Sequence, residues 1–342
     1  MQDFLLVTCV SVLALLGHGA VKVSGLRWLV RSLIIFVILF ELSLVLIGAN
    51  NSSFSNAVLT GMLVLTITIL FYFGRKLISA ILTPLDGLVS LRVVTGPLRH
   101  KMSWVKALND WVMFIPTSFP HLTGMFIYIT VLGYFLQNVN PGGLDFPAIP
   151  LPMPIQLSQI FSYNGLGLIL LSFSGVGLFV TRDWKAALKR LGWEKPTWPQ
   201  VGIGVGLIVF SFCYDLLWSL YTHSQPGQDM ATKISGYNSG TFATGGDLTA
   251  SIVIALFVAI CAGVGEETMT RGALQPALGI VPAAVMHGVL HAQFSHAPML
   301  IIQVTIWSIV FGIVRRFTNT TTTMIGHCGF NFITTFLFSF NP

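Results

Sequence analysis

The sequence predicts an all-α protein: a polytopic membrane bundle of about ten transmembrane helices. Three observations lead there. Of 342 residues, 54% are hydrophobic and 9% charged, with a mean hydropathy of +0.79. A soluble domain carries about 25% charged residues, and water would not solvate so apolar a surface at this length. The apolar stretches run close to the length of a spanning helix, without the alternation of a barrel strand. Helices also satisfy their own backbone polar groups, as the bilayer requires.

Taken in order, the candidate spans are 4–20, 32–49, 56–74, 112–136, 159–181, 200–220, 249–266, 279–294, 297–314 and 322–340. The first lacks a basic segment ahead of it and carries Asp3, so a membrane helix is expected there and not a cleaved signal peptide. Basic residues gather at Lys22, Arg27 and Arg31, between Arg75 and Lys106, between Arg182 and Lys195, and at Arg315 and Arg316. The alternate loops near 50–55, 137–158 and 221–248 are poor in Lys and Arg. The positive-inside rule places the basic loops in the cytoplasm and both termini outside. The net charge of +6 (18 basic, 12 acidic) therefore reports topology and not nucleic-acid binding.

Residues 77–110 form the longest cytoplasmic connection, mixing apolar and basic residues with Trp104, and read as an amphipathic surface helix or a solvated loop. Residues 182–199 read as a short amphipathic helix stopped by Pro196 and Pro199. Cys9, Cys213, Cys261 and Cys328 are expected to be small buried residues without disulfides. The chemically rich residues all fall late, which suggests N-terminal membrane helices over 1–189 and a second unit over 190–342.

An ionisable side chain within a span costs roughly 2.5–3.5 kcal/mol on insertion scales, so a cluster of them marks function. The stretch 266–331 holds Glu266, Glu267, Arg271, His287, His291, His296, His327 and Asn331. Glu267 and Arg271 stand four residues apart on one helical face, acid first, which suits an ion pair. Glu266 points about 100° away and is left to meet something else. Gly263 and Gly265 would admit a close neighbouring helix. His287 and His291 share a face and fit a zinc site, a reactive His beside a hydrogen-bonding one, or plain packing. His327 and Asn331 share another face and offer two N–H donors, suited to an oxyanion or to interhelical bonding. A carboxylate, imidazoles and paired donors are the parts of water-mediated amide hydrolysis. Among the other polar groups, Asp215 is expected in a helix–helix hydrogen bond, and Arg31 is expected to snorkel.

The order of these motifs resembles the CAAX-protease and bacteriocin-processing family. The family carries Glu-Glu-x-x-x-Arg, then Phe-x-x-x-His, then His-x-x-x-Asn or Asp on successive membrane helices. Glu266-Glu267-Thr-Met-Thr-Arg271 and His327-Cys-Gly-Phe-Asn331 match fully, whereas His287-Gly-Val-Leu-His291 has His in place of Phe. The likeness covers about residues 190–335.

It implies an intramembrane peptidase with no required metal, acting on a peptide or lipidated protein at the lipid bilayer, in a bacterial plasma membrane. In that scheme Glu266 and His291 activate water, His327 and Asn331 line the oxyanion site, and Glu267 and Arg271 hold their helix. The His at 287 leaves two readings: it fills the Phe position, or it recruits a divalent metal with Glu266 and His291. A non-catalytic scaffold or bacteriocin-immunity protein of the same fold is the alternative function.

Overall fold

A computed structural model describes residues 2–47, 111, 118–138, 157–223, 242–291 and 298–340. The third expected span, 56–74, and the connection 77–110 lie outside these residues. Within them the chain is helical: α1 (Gln2–Lys22), α2 (Ser24–Ile47), α3 (Phe119–Asn138), α4 (157–175), α5 (Trp184–Leu191), α6 (Trp198–His223), α7 (Leu248–Leu278), α8 (Ile280–Leu290), α9 (Pro298–Phe317) and α10 (Thr320–Phe340). Three helices are long and apolar enough to cross a membrane by length and composition: Trp198–His223, Leu248–Leu278 and Met299–Phe317.

The packing is inverted relative to a soluble protein. Leu216, Leu217 and Leu220 on α6 are each more than 60% exposed. Glu266, Glu267, Arg271, His287 and His327 are buried, as are Thr268, Thr270, Thr322 and Thr323. Apolar surface turned outward with ionisable groups turned inward is what a hydrocarbon solvent selects.

Several boundaries depart from expectation. α2 begins at Ser24, so Arg27 and Arg31 lie inside it. The Arg31 guanidinium lies over the rings of Trp28 (5.5 Å) and Phe119 (6.0 Å), so aromatic faces as well as its aliphatic stem carry it. The helix expected over 159–181 stops at Gly175 and gives way to a tight turn with Phe179 at φ 61°.

The largest correction concerns α7. It was expected to end at 266, but it runs 31 residues to Leu278. A hydropathy reading breaks at Glu266, Glu267 and Arg271. The helix passes through because those charges are met by partners inside the bundle. Gln275 near its end is satisfied likewise, donating through Nε2 to the Gly312 carbonyl at 2.7 Å.

The amphipathic segment after Arg182 forms α5 as expected. Asp183 caps it by accepting from the Ala186 N–H at 2.7 Å, and Gly192 closes it at φ 72°, a left-handed conformation that suits glycine. Phe173 of α4 stacks on Trp184 at 5.0 Å, and Ala187 and Leu191 complete a small core that seats α5 beneath the bundle. Arg190 Nη1 then donates to the Gly272 carbonyl of α7 at 2.9 Å. The four cysteines are free, but Cys9 and Cys213 are exposed, so only Cys261 is fully buried and Cys328 half-buried. Sulfur is apolar enough to face lipid, and the expectation of burial missed that.

Two glycines decide how closely the site helices meet. A Cβ at Gly263 would stand 2.5 Å from Cys328 Sγ on α10, and one at Gly265 would overlap the Asn164 carbonyl oxygen on α4. The expected close approach is real, and it involves two different neighbours. α10 runs along both α6 and the first half of α7, while α8 and α9 form a tight pair.

Candidate active site

Gly265–Glu267 form a short α-helical stretch of α7 between two π-helical segments, Ala259–Val264 and Thr268–Leu274. Such wide turns often accompany functional positions in helices. Glu266 and Glu267 are neighbours, so they face different sides of α7.

Glu267 is fully buried and faces α9 and α10. Its Oε2 lies 3.5 Å from Arg271 Nε, and its Oε1 accepts from His327 Nδ1 at 3.0 Å. Arg271, also fully buried, donates through Nη2 to Ser308 Oγ at 2.8 Å. The ion pair expected from spacing is therefore present, and it is tied to two further helices. A carboxylate accepts, so His327 Nδ1 carries the hydrogen and a neutral ring has its lone pair on Nε2.

Glu266 is 4% exposed. Its Oε1 accepts from Asn164 Nδ2 on α4 at 2.6 Å. Its Oε2 lies 3.2 Å from His287 Nε2 and 3.9 Å from His327 Nε2. That second oxygen makes no hydrogen bond among the described residues. Of these two imidazoles, His287 is the nearer. His291 sits just past the end of α8 with its Nδ1 on the His287 carbonyl at 3.0 Å. One donor atom each from Glu266, His287 and His291 lie within 4.8 Å of one another.

The three imidazoles form a layer. His287 stacks with His291 (5.4 Å, 10°) and with His327 (5.5 Å, 28°). Trp307 of α9 packs edge-on against His287 (5.5 Å) and His327 (4.9 Å). It is held in turn by stacking on Phe311 at 3.8 Å and by donating Nε1–H to Ser211 Oγ at 2.8 Å. Asn331, one turn beyond His327, is half-buried and lines the same cavity.

That cavity has a volume of about 1440 Å³. Glu266, His287, His291, His327 and Asn331 all line it, with Asn164 and Trp307. It is larger than the common 300–1,000 Å³ range of small-ligand sites, which leaves space for a chain segment. Asp215 also reaches it, and accepts from Gln303 Nε2 at 2.9 Å as an interhelical bond. His296 lies outside the described residues.

Sequence reasoning missed Asn164, Trp307 and Ser308. Asn164 did carry a signal, as a carboxamide in an apolar span that calls for a partner. Trp307 and Ser308 carried none, because both residue types are ordinary in membrane helices.

Residues 248–333 match the family model described as type II CAAX prenyl endopeptidase Rce1-like. No curated protein and no solved structure matches the chain. The matched segment begins with α7 and ends two residues after Asn331, so it spans these site residues except Asn164, Ser211 and Asp215. Outward apolar helices and the family's nature together make this a multi-pass membrane protein. Over residues 248–333, a quarter of its length, the chain is similar to the Rce1-like type II CAAX prenyl endopeptidases.

Proposed function

We propose that the protein is an intramembrane endopeptidase in which Glu266 activates water against a peptide bond of a peptide or lipid-anchored protein. The observation that carries this is the setting of Glu266. One carboxylate oxygen is fixed by Asn164, and the other makes no hydrogen bond among the described residues and lies on the wall of a large cavity shared with three imidazoles and Asn331.

The chemistry follows from those positions. A water between Glu266 Oε2 and His327 Nε2 loses its proton to the carboxylate as its oxygen bonds to the carbonyl carbon. The C–O double bond opens, and negative charge collects on the former carbonyl oxygen. Asn331 donates an N–H to that oxygen whatever the pH. His327 donates from Nε2 only when doubly protonated, because Nδ1 is committed to Glu267. The oxyanion role therefore falls first to Asn331. When the tetrahedral species collapses, the C–N bond breaks and the proton held by Glu266 passes to the departing amine. His291 helps align the water; its Nδ1 serves the His287 carbonyl, so its Nε2 carries the lone pair when neutral.

The substrate enters from the cytoplasmic side. Arg315 and Arg316 end α9, and Arg190 binds the far end of α7. His327 lies seven residues into α10 and Glu266 twelve before the end of α7. At about 1.5 Å per residue that is roughly 10–18 Å from the basic face, within the near half of a core about 30 Å thick. The cut is thus made near the cytoplasmic surface.

Cleavage of a fluorogenic prenylated peptide by the purified protein tests the proposal. Glu266→Gln keeps the shape and removes the base, so the rate is expected to fall by about 10²–10⁴-fold with the fold intact. A Glu266→Gln protein that cleaves at the parental rate refutes it.

A further inference from the structure

We propose that the basic end of the cavity is a binding site for an anionic phospholipid, with Arg182 and Arg190 holding the phosphate and an apolar strip of α1 taking one acyl chain. Both arginines line the cavity, and both are half-buried. Each fixes one arm on a backbone carbonyl: Arg182 Nη1 donates to Val176, and Arg190 Nη1 donates to Gly272 at 2.9 Å. A guanidinium carries five N–H groups in a planar fork, so each keeps a donor edge for a ligand. Among the described residues no carboxylate pairs with either of them. Burial, then Arg182 and Arg315, push the Arg190 guanidinium down to about 10, so it is still cationic at neutral pH. Like charges gathered without an acid leave a positive field, which an entering anion relieves.

The apolar half of the ligand is set by α1. Val7, Val10, Ala14 and His18 follow at three- and four-residue steps, and all four line the cavity. His18 closes the basic end of this strip. Its Nε2 meets the Gly175 carbonyl at 2.9 Å and its Nδ1 meets Thr181 Oγ1 at 2.9 Å, so both ring nitrogens are engaged. Beyond it the strip is apolar, with Leu171 of α4 and Ile127 of α3 on the other walls. From Val7 to His18 it runs about 16 Å, at about 1.5 Å per residue. That is half of a hydrocarbon core about 30 Å thick, the depth of one leaflet. An anionic head joined to an apolar chain of leaflet length is a phospholipid; free phosphate would use the arginines alone. The head site is separate from Glu266, because Arg190 grips α7 at Gly272, about 9 Å further along the helix axis. Arg182, Arg190 and the α1 strip all precede residue 248, outside the segment that the family model matches. The site does not depend on the peptidase reading.

The test is lipid binding to the full-length protein, stripped of lipid in detergent. With phosphatidylglycerol, native mass spectrometry is expected to show one lipid retained per chain, and the melting temperature to rise with lipid concentration. Phosphatidylcholine, which has a phosphate but no net charge, is expected to bind about tenfold or more weakly. Inorganic phosphate, which has no chain, is expected to leave the melting temperature unchanged at the same concentration. These three readings need no variant. Arg182→Gln combined with Arg190→Gln is expected to cost about tenfold or more in phosphatidylglycerol affinity. Ala14→Phe keeps both arginines but fills the strip, and is expected to lose the lipid as well. Lys185→Gln combined with Lys189→Gln, both on the exposed side of α5 and off the cavity, is the control expected to bind like the parent. Equal retention of phosphatidylglycerol and phosphatidylcholine, stabilisation by inorganic phosphate alone, or a folded Ala14→Phe protein that binds like the parent overturns the site.

Discussion

Replacing Gly265 with Ala adds one methyl group at the place where α7 and α4 touch backbone to backbone. The new Cβ would overlap the Asn164 carbonyl oxygen and stand 2.7 Å from its carbon and 3.3 Å from the Gly165 oxygen. Ordinary contact needs about 3.5 Å, so α4 must retreat by about 2 Å to clear the overlapped oxygen. No side-chain rotation relieves the overlap, since the atoms it meets are main chain. The retreat stretches the Asn164–Glu266 bond from 2.6 Å to about 4.6 Å, beyond hydrogen-bond range. Overpacking costs about 1–3 kcal/mol, and losing a bond to a charged group about 1.5–3 kcal/mol. Alanine returns about 1 kcal/mol through helix propensity. The net loss is about 1.5–5 kcal/mol, and at about 2 °C per kcal/mol for a large chain the melting temperature should fall by about 3–10 °C. Peptide cleavage should fall with it, because Glu266 loses its anchor. Thermal unfolding in detergent and the fluorogenic assay read both effects. Gly202→Ala is the control, since a Cβ there meets nothing within 4 Å. A Gly265→Ala protein with parental melting temperature and rate would refute the contact and the reasoning built on it.

Two further outcomes follow from the buried charges. Arg271→Ala strands Glu267 without its cation, and breaking a buried pair costs about 3–5 kcal/mol, so folded yield and melting temperature should both drop sharply. Asn164→Ala removes only the anchor of Glu266. The protein should fold, while turnover should fall about 10- to 100-fold, the equivalent of a charge-assisted bond worth about 1.5–3 kcal/mol; unchanged turnover would show that Glu266 needs no anchor.

Much of the site was legible because its helices keep simple spacing. Glu267 and Arg271 pair as a four-residue separation requires, and the motifs at 266–271, 287–291 and 327–331 meet at one cavity. What spacing cannot show is the distance at which each residue of a motif stands from the others. His287, which stands where the family motif has Phe, lies 3.2 Å from Glu266, while α8 ends at Leu290 and leaves His291 just past its last turn. The π-helical segments beside Glu266 also shift the faces of α7 away from the regular 100° step. The length of α7 was misjudged for a related reason: a hydropathy scan counts Glu266, Glu267 and Arg271 as three separate costs, although the fold cancels them against one another and against His327 and Ser308. Asn164 is 102 residues from Glu266 in the chain, and no local pattern connects them.

The mutual cancelling of charge around Glu267 bears on how the protein is made. α7 emerges with two carboxylates and a guanidinium, each costing roughly 2.5–3.5 kcal/mol in the bilayer until matched. Arg271 can meet Glu267 at once, but Ser308 is synthesised 37 residues after Arg271, and His327 comes 60 residues after Glu267. α7 therefore waits in the translocon's vicinity as an incomplete element. α10 closes the electrostatic circuit, and a nascent chain cut before Thr320 would lack the part that locks the others.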